Sequence, residues 1–241
     1  MNRLLNRQFN FYASFFSLIL TMSMSGCVDL SGAKYHPSPK KITHHADSTT
    51  QKIAQTKKHK PYRGEVHTML GGLGVFSTGM KELSSSVVDK YDIPAPSSMW
   101  YNAGNVSRSI VTYYYKHKNH RPIILVGHSL GANEQIKVAR NLDKLGIPVD
   151  LLVTVDAVSQ TVVPPNVKHV MNFYKPGYVP MFSGLKLRAI EPDKTRLENI
   201  NVSTLKGVAV NHFTIDKDPV VQAMIMDEVK KVTYNANRAK A

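Results

Sequence analysis

Apolar positions along this chain fall into short β-branched runs, separated by stretches in which large apolar side chains recur every three or four residues, so strand and helix signals alternate. The strand-like runs are Glu65 to Met69, Ser98 to Asn102, Ile123 to Val126, Val149 to Val155, Lys168 to Phe173 and Leu197 to Val202. Helical spacing covers Phe76 to Lys90, Val106 to His117, Asn133 to Leu145 and Val220 to Val232. In the third of these, Ile136, Val138, Ala139, Leu142 and Leu145 build the apolar face, and Gly146 and Pro148 end the helix. The alternation predicts the α/β class: one compact domain over residues 63–241, with a mostly parallel sheet flanked by helices. No internal repeat is present, and Tyr113, Tyr114 and Tyr115 read as helix packing on alternating faces.

The first 62 residues follow another pattern. Arg3 and Arg7 precede the apolar or small-residue run Phe11 to Met24, which small residues close, so residues 1–26 read as a secretory signal peptide. That run is too short for a spanning helix, which needs about twenty residues. Met24-Ser25-Gly26-Cys27 resembles a bacterial lipobox, which implies a thioether-linked diacylglycerol on Cys27 and an anchored mature chain. Val28, where Asp would retain such a protein at the inner membrane, implies the outer membrane of a bacterial envelope, facing the periplasm. Residues 28 to 62, rich in Lys, Ser, Thr, His and Pro, read as a flexible basic tether that lies against anionic lipid or is simply solvated.

Composition narrows the partners. The chain has 31 Lys+Arg against 17 Asp+Glu, a net charge of +14; without Arg3 and Arg7 the balance is 29 against 17, or +12. Such a charge favours anionic surfaces and substrates on encounter. No nucleic-acid recognition motif accompanies it, so nucleic acid is not an expected partner. Cys27 is the sole cysteine, which excludes an intrachain disulfide.

Candidate chemistry centres on Val126-Gly127-His128-Ser129-Leu130-Gly131-Ala132, directly after Ile123-Ile124-Leu125. A buried strand, a turn with glycines two residues either side of a serine, and a following helix form the pattern of a nucleophile elbow. Ser129 needs a base to remove its proton and a carboxylate to orient that base, in the chain order Ser, acid, His. Asp156 closes the run Leu151 to Val155, which puts it at the carboxyl edge of the neighbouring strand, where ligands of open parallel sheets gather. Asp193, in Glu191-Pro192-Asp193-Lys194, is the alternative acid. His212, in Asn211-His212-Phe213, is the best base: His36, His44, His45 and His59 lie in the polar leader, His117, His120 and His169 adjoin charged or turn segments, and His67 precedes the elbow. His128, inside the elbow, suits a supporting role.

An acyl-transfer site also needs backbone donors for the developing oxyanion. Leu130 N–H follows the nucleophile, and the loop Leu70-Gly71-Gly72-Leu73-Gly74 after the first strand offers Gly72 or Leu73 as the second donor. The same loop also reads as a phosphate cradle, but no Gly-Lys-Ser/Thr accompanies it.

These residues resemble the α/β-hydrolase superfamily, in particular its lipase and esterase branch, over about residues 63 to 235. The resemblance rests on the Gly-rich loop, the Gly-His-Ser-Leu-Gly elbow, Asp156 and His212. It implies a serine hydrolase acting on carboxylic esters or thioesters through an acyl-Ser129 intermediate, with lipid or small acyl-ester substrates, short to medium chains foremost, and no metal or organic cofactor. Ala157 stands where that branch often has proline, and no long cap separates Asp156 from His212, so lid-driven activation is not implied. Two other classes fit the same residues: an envelope acyltransferase using the same triad, and a noncatalytic envelope lipoprotein that kept the fold.

Overall fold

A computed structural model describes residues 61–238, apart from 160, 180 and 181. The signal segment, the lipobox with Cys27, and the tether through residue 60 lie outside the described residues. The elements, in chain order, are β1 (Glu65–Leu70), α1 (Thr78–Tyr91), β2 (Ser97–Met99), α2 (Ala103–Lys116), β3 (Ile123–His128), α3 (Leu130–Asp143), β4 (Leu151–Val155), β5 (Val162–Val163), β6 (His169–Tyr174), β7 (Arg188–Ala189), β8 (Arg196–Asn201) and α4 (Pro219–Arg238).

Six strands form one sheet in the order β2-β1-β3-β4-β6-β8, and every pairing in it is parallel. β5 and β7 make a separate two-stranded ribbon. The chain first steps from β1 outward to β2 and then returns across β1 to β3, so the direction of winding reverses between β1 and β3. Right-handed crossovers place helices of opposite winding on opposite faces. Accordingly Leu83 and Val87 of α1, with Ile225 and Val229 of α4, pack one face against Val66, Ile124, Val126 and Val153. Ile110 of α2, with Ile136 and Leu142 of α3, packs the other against Ile123, Leu125 and Leu152. Alternate residues of β3 thus serve two cores, which is why the strand reads as a continuous apolar run.

The second strand differs from the pattern-based expectation. Ser98 to Asn102 is strand only over Ser97–Met99; Trp100–Asn102 is a 3₁₀ turn that leads directly into α2. The stretch between β6 and β8, which carried no element signal, lays residues 185–187 along the sheet, held by side-chain amides. Asn172 Nδ2 donates to the Leu185 carbonyl (2.8 Å), and Asn199 exchanges bonds with the Leu187 backbone (2.8 and 3.0 Å). These polar groups sit within otherwise strand-like runs, and their partners come from another part of the chain. α4 begins as its sequence dictates: Pro219 occupies the first turn and the Asp218 carboxylate accepts the N–H groups of Val220 and Val221 (2.9 and 3.1 Å).

Burial sets the energetic scale. Ile124 is fully buried in the central strand, whereas Leu145, in the turn after α3, is about half exposed. Ile124→Ala is expected to cost about 2–5 kcal/mol and Leu145→Ala no more than about 0.5 kcal/mol. Urea unfolding of the two variants against the parent checks the contrast.

Candidate active site

β3 delivers Ser129 to the carboxyl edge of the sheet, and α3 starts at the next residue. Ser129 has φ 58° and ψ −122°, a conformation that a residue with a Cβ adopts only where its surroundings compel it. The compulsion is visible in the two flanking glycines. A Cβ on Gly127 would overlap the Gly131 backbone carbonyl, and one on Gly131 would overlap the carbonyl of Met69 in β1. Glycine at both positions lets the strand fold back on its own helix and lets that helix start against β1. The Ser129 N–H donates to the Val155 carbonyl (2.9 Å), and the Ser129 carbonyl accepts the N–H groups of Ala132 (3.0 Å) and Asn133 (3.2 Å).

Asp156 follows β4 directly, also at positive φ (53°), and is fully buried. Its Oδ1 accepts the Lys175 N–H (2.8 Å), and its Oδ2 lies 2.7 Å from His212 Nδ1. A carboxylate only accepts, so Nδ1 carries the proton, and Nε2, 2.9 Å from Ser129 Oγ, is left to accept from the serine hydroxyl. Gly184 packs so tightly over Asp156 that a Cβ there would overlap Oδ1. Asp193, the alternative acid, stands in the turn leading into β8, at the amino edge of the sheet and away from Ser129. Ser129, Asp156 and His212 are therefore brought together, and Asp193 is not.

A local turn holds His212. The Asn211 side chain accepts the Phe213 N–H (2.8 Å), the Asn211 carbonyl accepts the N–H groups of Thr214 (3.1 Å) and Ile215 (3.0 Å), and Thr214 Oγ1 accepts the Asn211 N–H (3.0 Å). Asn and Thr two and three residues apart are the turn-forming signal here. Of the other described histidines, His67 lies beside Glu65, His169 lies between Glu198 and Glu228, and His117 and His120 stack on Tyr113 and Tyr114.

The Gly-rich loop lies against the elbow through Gly71. A Cβ on Gly71 would stand 2.6 Å from the His128 oxygen, 2.8 Å from Ser129 Cβ and 3.1 Å from the Leu130 nitrogen. The loop's turn uses the amides of Gly71, which donates to Ser77 Oγ (3.1 Å), and of Gly74, which donates to the Gly71 carbonyl (2.9 Å). Gly72, at φ 49°, and Leu73 are the central residues of that turn, and its closing bond uses neither of their amides. Trp100 Nε1–H donates to the Gly72 carbonyl (2.8 Å) and so fixes the Gly72–Leu73 peptide. Leu130 N–H precedes the α3 ladder, which begins with Ala132, and lies at a helix N-terminus that favours negative charge.

His128 ties these parts together. Its Nε2 lies 2.8 Å from the His212 carbonyl and its Nδ1 2.8 Å from Ser77 Oγ. Only a protonated Nε2 bonds a carbonyl, so Nε2 donates, Nδ1 accepts the Ser77 hydroxyl proton, and Ser77 Oγ in turn accepts the Gly71 N–H. The chain from Gly71 through Ser77 and His128 to His212 links the loop, the elbow and the base. Burial foremost, and then the neighbouring His212, pushes the His128 pKa down to about 3, so the ring is neutral at physiological pH.

Four residues after His212, Asp216 is fully buried against α1, where a Cβ on Gly79 would overlap its backbone carbonyl. Neither of its carboxyl oxygens makes a well-formed hydrogen bond among the described residues, although the Gly79 and Asp216 amides lie close to it. Burial pushes its pKa up to about 6, opposed by the nearby Lys217 and assisted by Glu82. Sequence pattern marked the Gly-rich loop but singled out neither Ser77, Trp100 nor Asp216. The only available signals were the lone tryptophan and a serine in the helix-starting Ser77-Thr78-Gly79.

No family model matches this chain, and no curated protein matches it. Among solved structures, it is similar to a protein from Xanthomonas campestris pv. campestris described as a hydrolase of the alpha/beta superfamily. Identity is 12%, the TM-score is 0.37, and the match covers 69% of this chain and 99% of that one. It is also similar to the type II thioesterase BorB from the borrelidin biosynthetic cluster, at 10% identity and a TM-score of 0.43, over 72% of this chain and 98% of that one. At these values neither likeness bears on the chemistry, which rests on the chain's own geometry.

His128→Ala leaves the His212 carbonyl and the Ser77 hydroxyl without their partner, and is expected to destabilise the fold by about 1–3 kcal/mol for each orphaned group, read by urea unfolding. Asp216 has a pKa raised above the unfolded value of 3.8. Between pH 4 and 6 the native state therefore holds a proton that the unfolded chain has lost, and stability falls by up to about 1.4 kcal/mol per pH unit. His128, whose pKa falls from 6.5 to about 3 on folding, contributes the opposite slope over this whole range, in parent and variant alike. The difference between parent and Asp216→Asn isolates the carboxyl group: the variant gains relative stability from pH 4 to 6, and parallel curves would contradict the assignment.

Proposed function

We propose that this chain is a serine hydrolase that cleaves carboxylic esters or thioesters through an acyl-enzyme. The observation that carries the reading is the continuous line from Asp156 Oδ2 through His212 to Ser129 Oγ, at 2.7 and 2.9 Å. In this reading Ser129 Oγ attacks the acyl carbonyl as His212 Nε2 takes its proton, and Asp156 stabilises the imidazolium. Leu130 N–H, with the amide of Gly72 or Leu73, holds the oxyanion. His212 then protonates the departing alcohol or thiol. A water deprotonated by His212 attacks the acyl-Ser129 ester, and collapse of that second tetrahedral intermediate returns the proton to Ser129 and releases the acid.

The proposal extends to location. Arg3, Arg7, the apolar run to Met24 and the lipobox-like Met24 to Cys27 support a chain exported and lipid-anchored through Cys27 in a bacterial envelope, at the outer membrane. The substrates in this reading are lipid or small acyl esters, and no metal or organic cofactor takes part.

A fluorophosphonate applied to the full chain is expected to modify Ser129, mapped by mass spectrometry of peptides, and to lose that reaction in His212→Ala. Ser129→Ala is expected to lower turnover of a short acyl ester at least about a thousandfold, with an unchanged unfolding midpoint. A folded parent that gives no adduct and no turnover would overturn the proposal.

A further inference from the structure

Loops at the carboxyl edge of the sheet expose an unusual share of large apolar side chains. Leu73 is 72% exposed, Val75 61% and Phe76 50%, all in the β1–α1 loop. Tyr178 and Val179, in the loop after β6, and Phe213, next to His212, are exposed as well. They are not scattered: the Phe76 and Phe213 rings lie 4.9 Å apart, and Phe182 lies 5.1 Å from Phe213 and 5.4 Å from His212. The apolar rim thus borders the serine itself. Contiguous exposed apolar groups of this kind mark an interaction surface.

The exposed charges in the loops of that edge are lysines, with Glu82 of α1 the acidic group near Asp216. Lys206 and Lys217 are exposed and form no ion pair among the described residues, and Lys175, half-buried, reaches only Ser203 Oγ (3.5 Å). The carboxylates of these loops are spoken for: Asp156 and Asp216 are fully buried, and Asp218 caps α4. The amino edge pairs some of its lysines, Lys168 with Asp150 and Lys194 with Glu191, and leaves Lys116, Lys118 and Lys144 exposed, so it is the joined apolar rim, together with lysines, that sets the carboxyl edge apart. An apolar rim with unpaired lysines in neighbouring loops of the same edge matches the chemistry of an anionic bilayer surface, where acyl chains lie beneath negative headgroups. Among the described residues no helix is long and apolar enough to cross a membrane, so the match is to the surface.

We infer that the carboxyl-edge rim of Leu73, Val75, Phe76 and Phe213, with Lys206 and Lys217, docks on the surface of an anionic phospholipid bilayer. Docking there sets the mouth of the site on the lipid, so an acyl ester passes from bilayer to Ser129 without crossing water. That consequence rests on the hydrolase reading; the docking does not.

The test uses the full chain carrying Cys27→Ser, with one new cysteine bearing a solvatochromic dye at Val75→Cys or, as the control on the amino edge, at Leu145→Cys. Attachment through any other part of the chain leaves the dye at position 75 in water. On phosphatidylglycerol vesicles the dye at 75 is expected to shift to the blue, and that at 145 to stay unchanged. Phosphatidylcholine vesicles are expected to give no shift at either position. Lys206→Glu with Lys217→Glu is expected to weaken vesicle binding, read by the dye at 75, at least tenfold, and Ser129→Ala to leave it unaltered. No shift at 75 while the chain sediments with vesicles would overturn the inference, as would equal shifts on both lipids. A dye already shielded in buffer would also overturn it, by placing a chain segment or a second copy on the rim. Because no arm depends on turnover, failure of docking is distinguishable from failure of the hydrolase reading.

Discussion

Close backbone contact between β1, β3 and the first turn of α3 is the constraint from which the site follows. Gly131 brings the helix start against the Met69 carbonyl, Gly127 lets the strand pass beneath it, and Gly71 brings the Gly-rich loop within van der Waals reach of Ser129 and Leu130. None of these approaches tolerates a Cβ without movement of backbone. The same packing maintains Ser129 at positive φ, a strain of the order of 1–3 kcal/mol that persists only because neighbouring contacts over-determine it. The hydroxyl is therefore presented at a fixed place beside a helix N-terminus, whose Leu130 N–H is the donor assigned to the oxyanion in the proposed reaction.

A second constraint is the neutral, buried His128. Its ring is centred 5.2 Å from that of His212, close enough for two positive rings to oppose each other. Burial and that neighbour together keep His128 uncharged, and its two hydrogen bonds then act as a strut between the Gly-rich loop and the turn carrying His212. The positive charge that His212 acquires in the proposed cycle therefore has Asp156 as its close partner and no competing imidazolium. Asp216 holds the far end of the same turn against α1 with a buried carboxyl group, so this segment combines tight positioning with a pH-sensitive anchor.

Topology explains why these parts meet. Winding reverses between β1 and β3, so the helices leaving their carboxyl ends go to opposite faces, at the switch point where ligands of open parallel sheets gather. The Gly-rich loop and the elbow flank that point, and Asp156 and His212 adjoin it on the β4 side. The remainder of the same edge carries a joined set of apolar side chains, Phe76, Phe213 and Phe182 among them.

Much of this was legible in the chain. The apolar runs located the central strands β1, β3, β4 and β6, because strands buried on both faces are largely apolar, whereas the edge strands β2 and β8 gave a weaker signal; the helical spacing located α1 to α4. Glycines at fixed spacing around Ser129 announced a turn that only they permit, and chain order pointed to His212. Distance along the sequence hid the rest. Asp156 and Asp193 are both plausible acids until the sheet puts one at the edge of Ser129 and the other at the opposite edge. Ser77, Trp100 and Asp216 carry no periodic or motif signal, since each acts through one hydrogen bond or one close contact to a distant segment. The sequence by itself determined the elements, the elbow and the order of its partners, because these depend on local sterics and on periodic burial. Which carboxylate faces the base, which loop residue touches the nucleophile, and which exposed side chains gather into one rim were decided only by tertiary structure, because they depend on where strands far apart in the chain are laid side by side.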